Sequence, residues 1–259
     1  MLKNNYHTHT YRCNHAEGTD EEYVLNAIAG GYHTLGFSDH TPWNYASNYV
    51  SDSRMLPEEL PDYINSIREL KEKYKAQIDI KIGLECEYFP DYMPWLKEQM
   101  AYYELDYVIF GNHYYFSDEV SPYFGVFTTS HEMLDHYEES AIKGMETGIY
   151  AYLAHPDLFM ASYDEFDEHC VRISKNICQT ARRLNMPLEY NLGTAPYQKY
   201  LGGHQFPHPS FWKIAKDENC TAIIGVDAHH PKWLHTPIHY DAALSFLQQL
   251  GIKITDTIQ

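Results

Sequence analysis

The chain has 259 residues, with 19 basic against 36 acidic side chains and a formal charge of −17. That balance repels nucleic acid and anionic membranes, and it disfavours binding of phosphate unless bound cations reverse the sign locally. The length suits a single barrel-sized domain over residues 1–259, the 44% hydrophobic content is that of an ordinary globular protein, and no apolar run is long enough to cross a membrane.

The cysteines, Cys13, Cys86, Cys170, Cys178 and Cys220, are odd in number, scattered and without a CxxC pair. They read as reduced thiols in a cytoplasmic protein, and no signal peptide is expected ahead of His7. The 24 tyrosines are spread along the chain, which suits packing between helices and a barrel better than a surface for stacking bases.

In chain order, short apolar runs alternate with longer amphipathic ones. KNNYHTH predicts a first strand, followed by a loop holding His15. Thr19 opens a capping box, TDEE, and the helix EEYVLNAIA stops at Gly30-Gly31. TLGFSDH (34–40) predicts the second strand, and a helix follows from about Pro57 to Tyr74. IDIKIGLECEY (78–88) and LDYVIFGNH (105–113) read as buried strands. A helix over His131 to Glu146 leads to YAYLAHPD (150–157), and a helix near 164–184 leads to PLEYN (187–191). A helix near 208–218, the strand TAIIGVDAH (221–229) and a last helix from about Asp241 complete the chain. Seven strands, mostly separated by helices, predict an α/β protein with a parallel sheet, doubly wound or closed into a barrel.

Nearly every strand delivers histidine or carboxylate at its carboxyl end: HTH, SDH, GLECE, GNH, AHPD, EYN and VDAH. In a parallel barrel these ends converge on one face, where sites are built. Of 16 histidines, His7, His9, His40, His113, His155 and His229 fall at or just past strand ends. Residues two apart on a strand face the same way, so His7 and His9 can grip one cation. Neutral imidazole suits zinc, iron or manganese, and Glu85 and Asp227 add anionic oxygens. With His15 the set exceeds what one ion needs; it suits two or three divalent ions sharing a bridging carboxylate, a standard arrangement for phosphoester cleavage.

The ordered motifs HTHTYRCNH, FSDH, GLE, GNH, AHPD and VDAH, over roughly residues 5–235, resemble the PHP (polymerase and histidinol phosphatase) superfamily. Within it the chain is most similar to bacterial histidinol-phosphate phosphatases, through SRMLPEELPDYINSIRELKEKY, AHPDLF, PLEYN and VDAHHPKWL. The resemblance implies a distorted (β/α)7 TIM-like barrel with a trinuclear metal site at the carboxyl ends of the strands. It implies that His7, His9, Glu85 and Asp227 hold a first ion, and that Glu85 bridges to a second held by His113 and His155. His15, His40 and His229 would hold the third. Two motifs leave a choice. The family's acid directly follows the GL-type dipeptide, which favours Glu85 over Glu87, and alternation from Asp227 favours His229 over His230.

The implied activity is hydrolysis of a small phosphomonoester, foremost L-histidinol phosphate of histidine biosynthesis, by water that the ions activate. Three divalent ions would add about +6 locally, which reconciles phosphate with the acidic charge. Asp39 and Asp157 are candidate proton donors to the leaving alkoxide, or else partners orienting the adjacent histidines. Arg12 and Arg54 are candidate phosphate contacts, and Asn191 a candidate substrate contact. Relatives often carry a basic residue shortly after HPDL, whereas FMASY follows here, so another small ester, a nucleotide or phosphotyrosine is the alternative substrate. An exonuclease would need a basic groove, which the net charge opposes. An amidohydrolase barrel also opens with HxH, but it usually has a metal-bridging lysine where this chain has Glu85. A non-catalytic metal-binding scaffold would be favoured by missing ligands, and none is missing.

Overall fold

The computed structural model describes residues 2–193, 206–236 and 238–258. Among them, eight parallel strands form one sheet in chain order: β1 Asn4–Asn5, β2 Thr34–His40, β3 Asp79–Cys86, β4 Tyr107–Gly111, β5 Leu153–Ala154, β6 Leu188–Asn191, β7 Thr221–Gly225 and β8 Lys253–Ile254. The helices between and after them are α1 Asp20–Ala29, α2 Leu60–Tyr74, α3 Met93–Tyr102, α4 Phe124–Phe127, α5 His131–Glu146, α6 Glu168–Arg183, α7 Pro209–Asp217, α8 Lys232–His235 and α9 Ile238–Leu250.

The sheet curls until its ends meet, and it closes differently at its two rims. At the carboxyl rim, Thr8 pairs with Ala228; the His9 N–H donates to the Ala228 carbonyl (3.0 Å) and the Ala228 N–H to the His7 carbonyl (3.2 Å). At the amino rim, β8 lies beside β7, and Asp256 accepts from the Leu2 N–H and the Asn4 amide, both at 2.6 Å. The expected count of seven strands is therefore corrected to eight. The extra strand is two residues long, too short to show a periodic pattern, and it plugs the seam at the end away from the histidines.

Other elements also depart from the sequence reading, α3 and α9 among them. No helix was expected between the third and fourth strands, yet α3 forms there, with Pro94 in its first turn where a missing N–H breaks no helical bond. The last helix starts at Ile238 rather than Asp241. The Thr19 capping box is present in full, with Glu22 Oε2 accepting from the Thr19 N–H at 2.7 Å.

Most of the apolar core lies between the sheet and its helices, and a smaller cluster of Tyr6, Tyr107, Ile109, Tyr152, Ala154 and Ile223 packs together apart from it. Tyr107 sits between strands, its hydroxyl reaching the carbonyls of Tyr6 (2.7 Å) and Phe37 (3.1 Å). A side chain at Gly36 or Gly83 would collide with that ring. The tyrosine-rich composition is thus used largely in packing, and all five cysteines are free and buried. No described helix is long and apolar enough to cross a membrane.

Candidate metal centre

The strand register brings the expected ligands together. His40, the last residue of β2, pairs with Glu85 of β3. His7 and His9 flank the Thr8–Ala228 bridge, so both hang from the rim beside Asp227 and His229. His113 follows β4 and His155 follows β5 directly, while His15 comes from the first loop, just past the 3-10 turn Tyr11–Cys13. All of these except His7, which lies beneath, line one cavity of about 320 Å³.

The ligand atoms sort into three overlapping groups. In the first, His7 Nε2 lies 3.4 Å from both Glu85 Oε1 and Asp227 Oδ1, and His9 Nε2 lies 3.1 Å from Asp227 Oδ1 and 3.6 Å from Glu85 Oε2. In the second, Glu85 Oε1 is 2.8 Å from His155 Nε2 and 3.4 Å from His113 Nε2, and the two nitrogens are 3.2 Å apart. In the third, His15 and His229 bring their Nε2 atoms within 3.0 Å of each other, and the His40 ring lies 5.3 Å from that of His15. The trios His7–His9–Asp227, His7–Glu85–His155 and His9–His40–His229 each bring one donor atom per residue within 4.8 Å of the others.

This donor set fits divalent cations. His7 Nε2, His9 Nε2, His40 Nδ1, Glu85 Oε2 and Asp227 Oδ1 are buried without a hydrogen-bond partner. His40 Nδ1 does lie 3.1 Å from Glu85 Oε2, but without the alignment of a hydrogen bond. Buried polar atoms left without partners are costly. Five converging at and just beneath one cavity mark a candidate cation site, and imidazole nitrogens with carboxylate oxygens suit zinc, manganese or iron.

The opposite edges of the rings are held from outside. Glu189 Oε1 is 2.8 Å from His7 Nδ1, Asp39 Oδ1 is 3.3 Å from His9 Nδ1, and Glu87 Oε1 is 2.9 Å from His113 Nδ1. The Cys13 carbonyl lies 2.7 Å from His15 Nδ1, and the Asp227 carbonyl 3.1 Å from His229 Nδ1. Such partners fix the tautomer and aim the free nitrogen at the ion. Glu189 was missed by the sequence reading. It is fully buried and also accepts from the His155 N–H (3.1 Å) and the Asn191 amide (2.7 Å). Its only signal was an acid inside the apolar strand PLEYN. A side chain at Gly225 would fall on Glu189 Oε1, which explains a glycine at that point of β7. His155 and Asp227 hold left-handed backbones, φ 30° and 51°, strain of the kind that accumulates where function fixes a side chain.

The electrostatics follow the same geometry. Burial pushes His7, His9 and His113 down, but the surrounding carboxylates outweigh it, lifting His7 well above its ordinary value, His9 to about 9 and His113 to about 10. Burial and the charge on His9 push His40 down to about 3 and hold His229 well below the usual range. Burial opposes ionisation of Glu85 and Asp227, yet their histidine partners hold both well below the carboxylate range. Near neutral pH the ion-free cluster therefore carries protons on His9 and His113 where an ion needs bare nitrogen. Ion binding must expel them, so affinity rises with pH. Zinc affinity, measured by competition with a chromophoric chelator, is expected to strengthen roughly tenfold or more per unit over about pH 6–8. An affinity flat across that range would contradict this account.

The remaining candidates fall in different places. Asn191 lines the cavity, its amide 3.2 Å from Asp227 Oδ2 and its carbonyl accepting from the Gly193 N–H at 2.8 Å. Asp39 is fully buried, lines no part of the cavity, and accepts from the N–H groups of Thr10 (3.1 Å) and His40 (2.9 Å) as well as facing His9. Asp157 is equally buried behind the cavity, accepting from the His208 N–H at 2.6 Å, and burial lifts its carboxyl to about 7. Arg12 pairs with Asp20 (2.9 Å) and Asp62 (2.8 Å) and does not line the cavity. Arg54 borders an adjoining branch of about 450 Å³ that shares His15, His40, His113 and Tyr123 with the main cavity. Glu87 faces His113 and Arg54, while His230 points at Glu17 at 3.8 Å.

Comparison with known proteins agrees with this fold. Residues 5–193 match the PHP domain family. A probable histidinol-phosphatase of Deinococcus radiodurans is 27% identical over 241 residues, covering 87% of this chain and 85% of the relative. One from Schizosaccharomyces pombe is 25% identical over 266 residues, covering 95% and 86%. Among solved structures, the histidinol phosphate phosphatase of Lactococcus lactis, crystallised with zinc, L-histidinol and phosphate, shares the fold with a TM-score of 0.76 at 18% identity, covering 99% of this chain and 98% of that one. A putative histidinol phosphatase of Listeria monocytogenes gives a TM-score of 0.70 at 20% identity, over 89% and 97%. With the family match spanning most of the chain and the ligand motifs in order, the chain belongs to the PHP domain family.

Proposed function

We propose that the protein is a metal-dependent phosphomonoester hydrolase acting on L-histidinol phosphate, with two or three divalent ions held by His7, His9, His15, His40, Glu85, His113, His155, Asp227 and His229. The carrying observation is the set of unpaired buried nitrogens and oxygens converging beneath one cavity. Bound there, divalent ions supply Lewis-acid stabilisation of phosphoryl oxygens and lower the pKa of water.

The chain's own residues do the rest. Glu189, Asp39 and Glu87 hold the ligand rings at fixed angles, so the site needs no rearrangement when charge develops. Asn191, whose amide N–H groups go to Glu189 and Asp227 and whose oxygen accepts from the Gly193 N–H, is held fixed at the cavity wall, leaving its oxygen to meet substrate. Arg54 is the single arginine or lysine lining either cavity among the described residues, which makes it the protein's own phosphate contact. Arg12, tied to Asp20 and Asp62, acts as a strut for the first loop. Asp39 and Asp157 do not reach the cavity, so neither is assigned proton donation; Asp39 orients His9, whereas Asp157 anchors the His208 N–H. Leu158, Phe206 and Trp233 form an apolar wall that excludes water and suits a flat heteroaromatic alcohol. The names of the relatives and the L-histidinol in the Lactococcus structure support this choice of alcohol.

A second reading, hydrolysis of another small phosphate ester, rests on the buried apolar turn Leu158–Phe159–Met160 that follows the HPD motif, where no cation stands. Both readings require the ions. Removing them with a chelator should lower phosphate release to about 1% or less, and zinc or manganese should restore it. Activity that persists in protein shown to be ion-free would contradict the proposal.

A further inference from the structure

Arg54 is 3% exposed, and its guanidinium is clamped. Nε donates to Asp118 Oδ2 (3.0 Å), Nη1 to Glu87 Oε2 (3.2 Å) and the Thr41 carbonyl (2.9 Å), and Nη2 to Glu87 Oε1 (3.0 Å). These bonds engage every guanidinium N–H except one on Nη2, at a side chain that lines the cavity branch. The two carboxylates differ in what else they touch. Asp118 accepts from the hydroxyls of Ser51 (2.8 Å) and Tyr45, which belong to the segment carrying Arg54. Glu87 accepts from Trp43 Nε1 (2.7 Å), and its Oε1, already bonded to Arg54, also lies 2.9 Å from Nδ1 of the ligand His113.

We propose that Asp118 and Glu87 are positioning residues of different reach: Asp118 orients Arg54 alone, whereas Glu87 orients Arg54 and His113 together and so couples anion binding to ion binding through one carboxylate. An arginine held between two carboxylates has little net attraction for an anion, so its value lies in direction, and direction depends on the clamp. Likewise a histidine whose Nδ1 partner is removed can rotate away from its ion. The proposal rests on the phosphatase reading only in taking phosphate as the anion.

The test uses the full chain and the variants Asp118→Asn, Arg54→Lys and Glu87→Gln. Zinc affinity is read by chelator competition, and inorganic phosphate affinity by calorimetry at saturating zinc. Asp118→Asn and Arg54→Lys should weaken phosphate by about tenfold while zinc affinity stays within about twofold. Glu87→Gln should weaken phosphate similarly and zinc by roughly 10–100-fold. If Glu87→Gln does not fold, Glu87→Asp, which keeps the charge and shortens the reach, should show the same double loss. A Glu87 variant that moves zinc alone, or an Asp118 variant that leaves phosphate affinity unchanged, would overturn the proposal; a purely structural strut predicts those results. Phosphate release by the unaltered protein is followed in parallel. If the expected pattern of affinities appears in a protein that hydrolyses no phosphomonoester, the coupling stands and the hydrolase reading falls.

Discussion

Glu85→Gln is expected to lower kcat/KM for phosphate release by about 10³-fold or more and to strip ions from the protein. Glu85 is the hub of the cluster. Its two oxygens lie within 3.6 Å of ring nitrogens from His7, His9, His40, His113 and His155. No other carboxylate among the described residues reaches the Nε2 atoms of both the His7–His9 pair and the His113–His155 pair. A neutral amide keeps the volume but removes the charge that closely spaced cations would need in order to share one pocket, and it would turn an N–H toward the ring nitrogens proposed to hold them. Ion content by mass spectrometry and steady-state kinetics read the two consequences separately. Ion content and kcat/KM both within about twofold of the unaltered protein would remove Glu85 from the centre.

Glu189→Gln should weaken zinc binding by roughly 10–100-fold and cost about 1–3 kcal/mol of stability, although Glu189 touches no ion. Its Oε1 faces His7 Nδ1, while its Oε2 accepts from the His155 N–H and the Asn191 amide. Every one of these neighbours is a donor, so an amide in either orientation sets one N–H against another inside a fully buried site. The damage reaches two candidate ligands, His7 and His155, at once, and it releases the strained backbone at His155 from its anchor. Zinc titration and denaturant unfolding check the two effects. Unchanged zinc affinity would show that His7 and His155 are aimed by the backbone alone.

The sequence exposed the candidate ligands better than their supports. The parallel α/β sheet and the convergence of the histidines followed from strand alternation and from polar residues at the carboxyl ends of apolar runs. Within GLECE, two glutamates on the same face could not be separated by periodicity; the structure divides them by depth, with Glu85 among the ligand nitrogens and Glu87 behind His113. Glu189 was hidden because one acid in an apolar strand has no spacing signal, and its partners lie 182 and 34 residues away. Arg12 lies between candidate ligands in the first loop and Arg54 in the stretch SRMLPEEL, and neither position says whether the side chain reaches the cavity. Only tertiary contacts distinguish them, since Asp20 and Asp62 draw Arg12 away from the cavity while Glu87 and Asp118 hold Arg54 at its branch. The eighth strand, two residues long, has no sequence period at all.

The most direct test of the account is kcat/KM for phosphate release from L-histidinol phosphate by the zinc- or manganese-loaded protein, measured beside a panel of sugar phosphates, nucleotides and phosphotyrosine. The account predicts about 10⁴ M⁻¹s⁻¹ or more for L-histidinol phosphate and at least about a hundredfold less for every other ester. Equal or greater efficiency on another ester would contradict the substrate assignment, and no release from any of them by protein with its ions in place would contradict the hydrolase itself.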